Sequence, residues 1–263
     1  MDLGLKGLKA FVGGSSRGLG FAIAYALAED GCLVAINGRE QIKLETAADK
    51  ITKETGTKAV AITGDAADPD TGPGLIQQAH DSLGSLDLLI TNTGGPPAGR
   101  FEVFDEDTWQ KAINLAFLSH VRLIKTALPY LKKSDQASVL TVTSYSVKQP
   151  IPNLVLSNSI RSATIGLTKS LALELGSDGI RFNSILPGWT KTERVQEIME
   201  FRAKQNKTSV EEEIMKIAQE SPLGRMAEPE EIGQTAAFLL SPAASYITGV
   251  MLTVDGGMYK GTL

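Results

Sequence analysis

The chain has 263 residues, 42% hydrophobic and 21% charged, the balance of a globular fold with a sizeable core rather than of a disordered or fibrous chain. With 26 basic against 30 acidic side chains the net charge is −4, which argues against a sequence-independent grip on nucleic-acid phosphates or anionic lipid. No window reaches the roughly 18 apolar residues of a membrane helix, and residues 1–7 do not lead from a basic flank into an apolar run. A cytoplasmic protein with no membrane or nucleic-acid partner is therefore expected. One cysteine and two histidines leave little from which to build a metal cluster or a Ser-His-Asp triad. Cys32, inside the apolar run 32–36, reads as a buried structural thiol.

Taken in chain order, runs rich in Val, Ile and Leu at 8–12, 32–36, 58–62, 86–91, 137–142, 180–186 and 250–254 predict seven strands. Helical spacing at about 18–30, 40–54, 70–83, 105–132, 152–176 and 229–240 fills the intervals, and Gly31, Gly56, Gly84 and Gly176 stand where helices stop. Strands that are apolar almost throughout, alternating with helices, predict an α/β fold: a doubly wound, seven-stranded parallel sheet with helices on both faces. No linker, repeat or low-complexity segment divides the chain, so residues 1–263 are expected to form a single domain. Residues 191–220 break the rhythm. They are charged, with Val195, Ile198, Met199, Phe201, Ile214, Met215 and Ile217 at helical spacing, and read as a small two-helix lid. The segments 105–132 and 152–176 carry too many apolar residues for one stripe, so each is expected to bury a second face in an oligomer.

After the first strand comes Gly13-Gly14-Ser15-Ser16-Arg17-Gly18-Leu19-Gly20, spaced Gly-x-x-x-Gly-x-Gly and followed by a helix of small and apolar residues. Such a turn lets backbone N–H groups and a helix N-terminus approach a pyrophosphate, because no Cβ stands in the way. A tight turn made only for packing is the alternative. Further motifs follow in order: Asp65 after the third strand, Asn92-Thr-Gly-Gly95 after the fourth, Asn114 in the long helix, Ser144 after the fifth, and Pro187-Gly188 after the sixth. The tail runs from Pro222-Leu-Gly-Arg225 to Val254-Asp-Gly-Gly257.

In these residues, over essentially its whole length, the chain resembles the short-chain dehydrogenase/reductase family, and within it the β-ketoacyl-acyl-carrier-protein-reductase-like group. The resemblance implies a Rossmann fold, an oxidoreductase acting on a small carbonyl or alcohol, and a homotetramer. It implies a cofactor site drawn from Gly14, Ser16, Arg17, Gly18, Leu19 and Gly20 in the loop, with Asp65 and Ala66 along the adenine. Asn92, Thr93 and Gly94 would back the adenosine ribose; Pro187 and Gly188 would lead to Thr190 and Thr192 near the nicotinamide carboxamide. Gly13 stands where the family usually has Thr, so a hydroxyl that ties the turn is missing there. An NAD-preferring site has an acidic residue at the end of the second strand. Here that stretch is Ala35-Ile-Asn-Gly-Arg39, and Arg39 with Arg17 suits a 2′-phosphate, which points to NADP(H). Two solvated surface arginines are the plainer alternative.

At the catalytic positions the chain departs from the family. Ser144 fits the Ser that hydrogen-bonds the substrate oxygen and Asn114 the helix Asn of the proton relay, but the Tyr and Lys positions hold Ser157 and Arg161. Lys169 lies eight residues past Arg161, about 12 Å along a helix, so no slip of register restores the pair. A serine is a far weaker acid than a phenol, and an arginine keeps its charge, so Arg161 can hold ribose hydroxyls or bias the field but not shuttle a proton. Tyr145 and Trp189 read as packing residues of the pocket or lid, Pro96 and Pro97 as stiffeners of the loop beside the nicotinamide, and His120 as a packed or interface histidine. Two functions stand: an NADP(H)-dependent reductase with Ser144, Asn114, Ser157 and Arg161 in an atypical site, or a non-catalytic dinucleotide-binding sensor that kept the cofactor site.

Overall fold

Every one of the seven apolar runs forms a strand in the computed structural model, which describes residues 2–262. The strands are β1 (Lys9–Val12), β2 (Leu33–Gly38), β3 (Ala59–Thr63), β4 (Leu88–Thr91), β5 (Ser138–Val142), β6 (Arg181–Pro187) and β7 (Met251–Val254). They make one parallel sheet in the order β3-β2-β1-β4-β5-β6-β7, reversing direction of travel beside β1 and β4. The strands are apolar throughout because successive side chains enter two different cores. Val12, Val34, Ile36, Ile90 and Val142 face one, under α1 (Gly18–Glu29), α2 (Gln41–Thr55) and α9 (Pro229–Leu240). Phe11, Ala35, Leu89 and Val139 face the other, under α3 (Gly72–Leu83), α5 (Ser119–Leu131) and α6 (Val155–Leu175). Cys32 is fully buried in the first core.

The segment expected as one helix over 105–132 is in fact three pieces. Asp105 caps α4 (Glu106–Ile113) by accepting from Thr108 N at 2.9 Å; a widened π turn follows over Asn114–Leu118, and then α5. Side chains hold the wide turn open: Thr164 on α6 donates to Ala116 O at 2.9 Å, and Ser119 donates to Leu115 O at 2.6 Å. Such bulges depend on tertiary partners that periodicity does not reveal. A second difference lies at Gly176, whose φ of −60° continues the chain into a short 3₁₀ turn. The left-handed stop falls at Gly179, φ +77°.

Residues 191–220 form the two expected helices, α7 (Glu193–Asn206) and α8 (Val210–Glu220). Thr192 caps α7, and Ser209 with Glu212 makes a reciprocal capping box on α8. Their apolar faces bury Ile198, Met199 and Ile217 against Tyr145, Trp189 and Met226, a small core separate from the two that cover the sheet.

Candidate functional site

The carboxyl ends of β1, β4, β5 and β6 open into a cavity of about 410 Å³, roofed by the start of α7. A crevice at the place where the strand order reverses is the usual ligand site of an open parallel sheet. The glycine loop forms one wall. Gly14 and Gly18 adopt left-handed backbone (φ +55° and +59°), and a Cβ on Gly20 would stand 2.3 Å from Gly14 O, so only glycine lets α1 pack beneath the turn. No side chain caps the N-terminus of α1, which leaves its first N–H groups to an anionic ligand.

The loop is tied without a hydroxyl at position 13. Ser15, fully buried, donates to Val12 O at 2.6 Å and accepts from Asn37 N at 2.9 Å, while Asn92 Nδ2 reaches Gly13 O and Gly14 O at 3.2 and 3.0 Å. The missing hydroxyl is thus replaced by Ser15, two residues on. A Cβ at Gly13 would meet Asn92 O at 2.9 Å, which explains the glycine.

At the adenosine end Arg17 and Arg39 both line the cavity. Arg17 pairs with Glu193 at the start of α7, and Arg39 lies 4.0 Å from Asp65. The nearby carboxylate of Glu40 is engaged with Lys43 at 2.8 Å, and this ion pair holds its pKa below the usual range. Asn37, where the β2 carboxylate of an NAD-type site would be sought, is buried and spends its side chain on Ile62 O and Gly64 O at 2.9 and 3.1 Å. The edge is cationic, with no acidic residue aimed at a ribose.

At the other end Ser144, Ser157 and Arg161 meet on the wall. Ser144 Oγ accepts from Ser146 N at 3.1 Å and Ser157 Oγ accepts from Arg161 Nε at 3.2 Å, so both hydroxyl protons remain to be donated. Arg161 is only 8% exposed and also donates through Nη1 to Val142 O and Thr143 O at 3.2 and 3.4 Å. Burial, and secondarily the Arg194 guanidinium, lowers its pKa to about 10, still fully charged at neutral pH. Tyr145 and Trp189 also face the cavity from the small lid core, and Arg202 stacks on the Trp189 ring at 4.8 Å. Burial pushes the Tyr145 hydroxyl up to about 12, the wrong direction for a proton donor; the Trp189 indole, which makes no hydrogen bond of good geometry, offsets this only in part. His120 is fully buried behind the site, with Nδ1 on Thr91 Oγ1 at 2.7 Å, and burial with nearby Arg161 drives its pKa down to about 3.

The cavity gathers most of the residues singled out in the sequence. Ser16, Gly20, Asp65, Ala66 and Asn114 do not reach its wall. Ser16 packs on Gly38, Gly20 and Ala66 are buried in the packing of the loop and of α3, and Asp65 turns back to accept from Ala67 N at 2.9 Å. Asn114 Oδ1 accepts from Arg122 Nη2 at 2.8 Å, and its carbonyl is taken by Ser119 N across the π turn. The relay role expected of Asn114 therefore has no free atom here. What the sequence reading missed is α7: Glu193 on Arg17, and Arg194, which donates to Pro96 O at 2.6 Å and pairs with Glu197 at 3.1 Å. The arginine-rich run at the start of the lid was its only signal.

Fold and cleft together define a Rossmann-type α/β protein. The sequence profile described as enoyl-(acyl carrier protein) reductase matches residues 14–259. Over 253 residues the chain is 33% identical to dehydrogenase/reductase SDR family member 4 of Oryctolagus cuniculus, covering 94% of this chain and 92% of that one. It is 29% identical over 252 residues to the NADPH-dependent reductase BacG of Bacillus subtilis, covering 95% and 97%. Among solved structures, L-sorbose reductase from Gluconobacter frateurii, complexed with NADPH and L-sorbose, superposes with a TM-score of 0.93 at 28% identity over 99% of this chain and 100% of that one. The chain belongs to the short-chain dehydrogenase/reductase family.

Proposed function

We propose that the chain is an NADP(H)-dependent oxidoreductase that reduces a small carbonyl compound through an atypical site. The observation that carries this is one cavity joining an uncapped glycine-loop helix, two arginines at the adenosine edge and a cluster of free hydroxyl donors. The relatives described as NADPH-dependent or as crystallised with NADPH support the cofactor. When bound, the cofactor supplies hydride. The chain's own residues do the rest. Gly14, Gly18 and the α1 N-terminus receive the pyrophosphate, Arg17 and Arg39 the 2′-phosphate, and Asn92, Thr93 and Gly94 line the ribose. Pro187, Gly188, Thr190 and Thr192 flank the nicotinamide. Ser144 and Ser157 donate to the substrate oxygen, with Arg161 stabilising the charge that develops on it. Neither hydroxyl is a strong acid, so the proton comes from water. Helices α7 and α8 act as the lid of a single-domain enzyme.

The protein acts as a cytoplasmic homotetramer in this reading. Among the described residues no helix is long and apolar enough to cross a membrane. Leu115, Phe117, Leu118 and Val121 stay half-exposed along the π turn and α5, and Leu173 on α6 is 76% exposed, a second apolar face for partner subunits. The test of function is titration with NADPH and NADH followed by assay on a carbonyl panel. NADPH binds tighter by about tenfold or more through the paired arginines, and Ser144→Ala lowers turnover without changing NADPH affinity. Equal affinity for the two cofactors, or oxidation of NADPH that Ser144→Ala leaves untouched, refutes the reading and moves the non-catalytic sensor ahead.

A further inference from the structure

Four arginines line the cavity, and three of them have a carboxylate within ion-pair distance: Arg17 has Glu193, Arg39 has Asp65 and Arg194 has Glu197. The fourth and most buried, Arg161, has none among the described residues. Its hydrogen bonds go to the neutral oxygens of Ser157, Val142 and Thr143, leaving Nη2 without a protein partner. The charged groups that act on it are themselves cationic or neutral: Arg194 faces it across the cavity, and His120 behind it is uncharged. A buried guanidinium without a counter-charge is costly, and proteins keep one where a ligand supplies the anion.

The phosphates of the cofactor are poorly placed to do so. They belong to the loop after β1, whereas Arg161 is anchored on the end of β5, two strands and roughly 10 Å away. Around Arg161 the polar atoms free to bind are donors only, the hydroxyls of Ser144 and Ser157 and the guanidinium itself. Such a set suits anionic oxygen and repels nothing about it.

Resting on the reductase reading above, we propose that the substrate is a short oxo acid whose carboxylate pairs with Arg161. Because Arg161 Nε touches Ser157 Oγ, and Nη1 touches the carbonyl of the residue before Ser144, the carboxylate and the reacting carbonyl sit within one or two carbons of each other, as in 2-oxo and 3-oxo acids. Arg161 then selects the substrate as a bidentate anchor.

The test is isothermal titration of the NADP⁺-loaded protein with 2-oxobutyrate, acetoacetate and their methyl esters. An acid binds wild type about tenfold or more tighter than its ester, the margin of a charge-assisted contact. Arg161→Gln brings the acid-to-ester ratio to about one, Arg161→Lys keeps part of it, and both bind NADP⁺ within about threefold of wild type. Acids and esters that bind wild type equally, or do not bind at all, overturn the inference. So does an Arg161→Gln variant that weakens NADP⁺ and leaves the ratio intact, which would return Arg161 to the ribose. Wild type that fails to bind NADP⁺ sinks the reductase reading itself, and this inference with it.

Discussion

Acid should destabilise this fold through one residue, His120. Its imidazole is fully buried against Thr91, and its pKa falls from 6.5 to about 3, first through burial and then through the Arg161 charge. The unfolded chain therefore binds a proton that the folded chain refuses between about pH 6.5 and pH 3, so stability is intact above 6.5 and drains as pH falls. Each pH unit in that window removes about 1.4 kcal/mol, or about 3 kcal/mol by pH 4.5, a large part of the 5–15 kcal/mol typical of a domain. In His120→Asn the amide can keep the Thr91 contact but cannot titrate. It pays a cavity penalty of about 1–3 kcal/mol at every pH, yet should lose the extra acid sensitivity. Urea unfolding followed by tryptophan fluorescence, at about pH 7.5 and about pH 4.5 for both proteins, reads the difference directly. Glu213 and Glu231, held down to about 2 by Lys216 and Arg225, add acid sensitivity to both chains alike and cancel. Parallel stability losses in wild type and His120→Asn would refute the assignment.

Light scattering at micromolar concentration should give about four times the 28.0 kDa chain mass, and a value near one chain would remove the subunit role of the α5 and α6 faces. Restoring the family residues with Ser157→Tyr and Arg161→Lys should raise kcat/KM on simple uncharged ketones by ~10²-fold or more, since a phenol and an ammonium one helical turn apart supply the general acid that the cleft lacks. A double variant that binds NADPH without any gain would show that the pocket around Ile151 and Leu154 no longer accepts the ring.

The fold was legible because its strands are apolar on both sides. Val12 and Phe11 enter different cores, and that requirement is written into consecutive residues. The glycine loop was legible for a similar reason, since no other residue fits at Gly20. What stayed hidden depends on contacts distant in sequence. The π turn at Asn114 rests on Thr164, and it turns Asn114 toward Arg122. The replacement of a hydroxyl at Gly13 by Ser15 depends on where β2 lies. The roof of the cleft, with Glu193 and Arg194 seventy or more residues from their partners, has no periodicity to betray it.

The substitutions at 157 and 161 are better understood as a change of charge logic than as a loss. A site with a phenol and an ammonium moves a proton. A serine and an arginine in the same two places hold a negative charge still. The chain has accepted consequences of that exchange: a guanidinium lowered to about 10 by burial, a histidine kept neutral behind it, and a neighbouring tyrosine raised to about 12. Among the described residues of the cleft for which a shift is resolved, none titrates near neutrality. A site built this way should turn over with little dependence on pH across the neutral range, its electrostatics fixed before the substrate arrives.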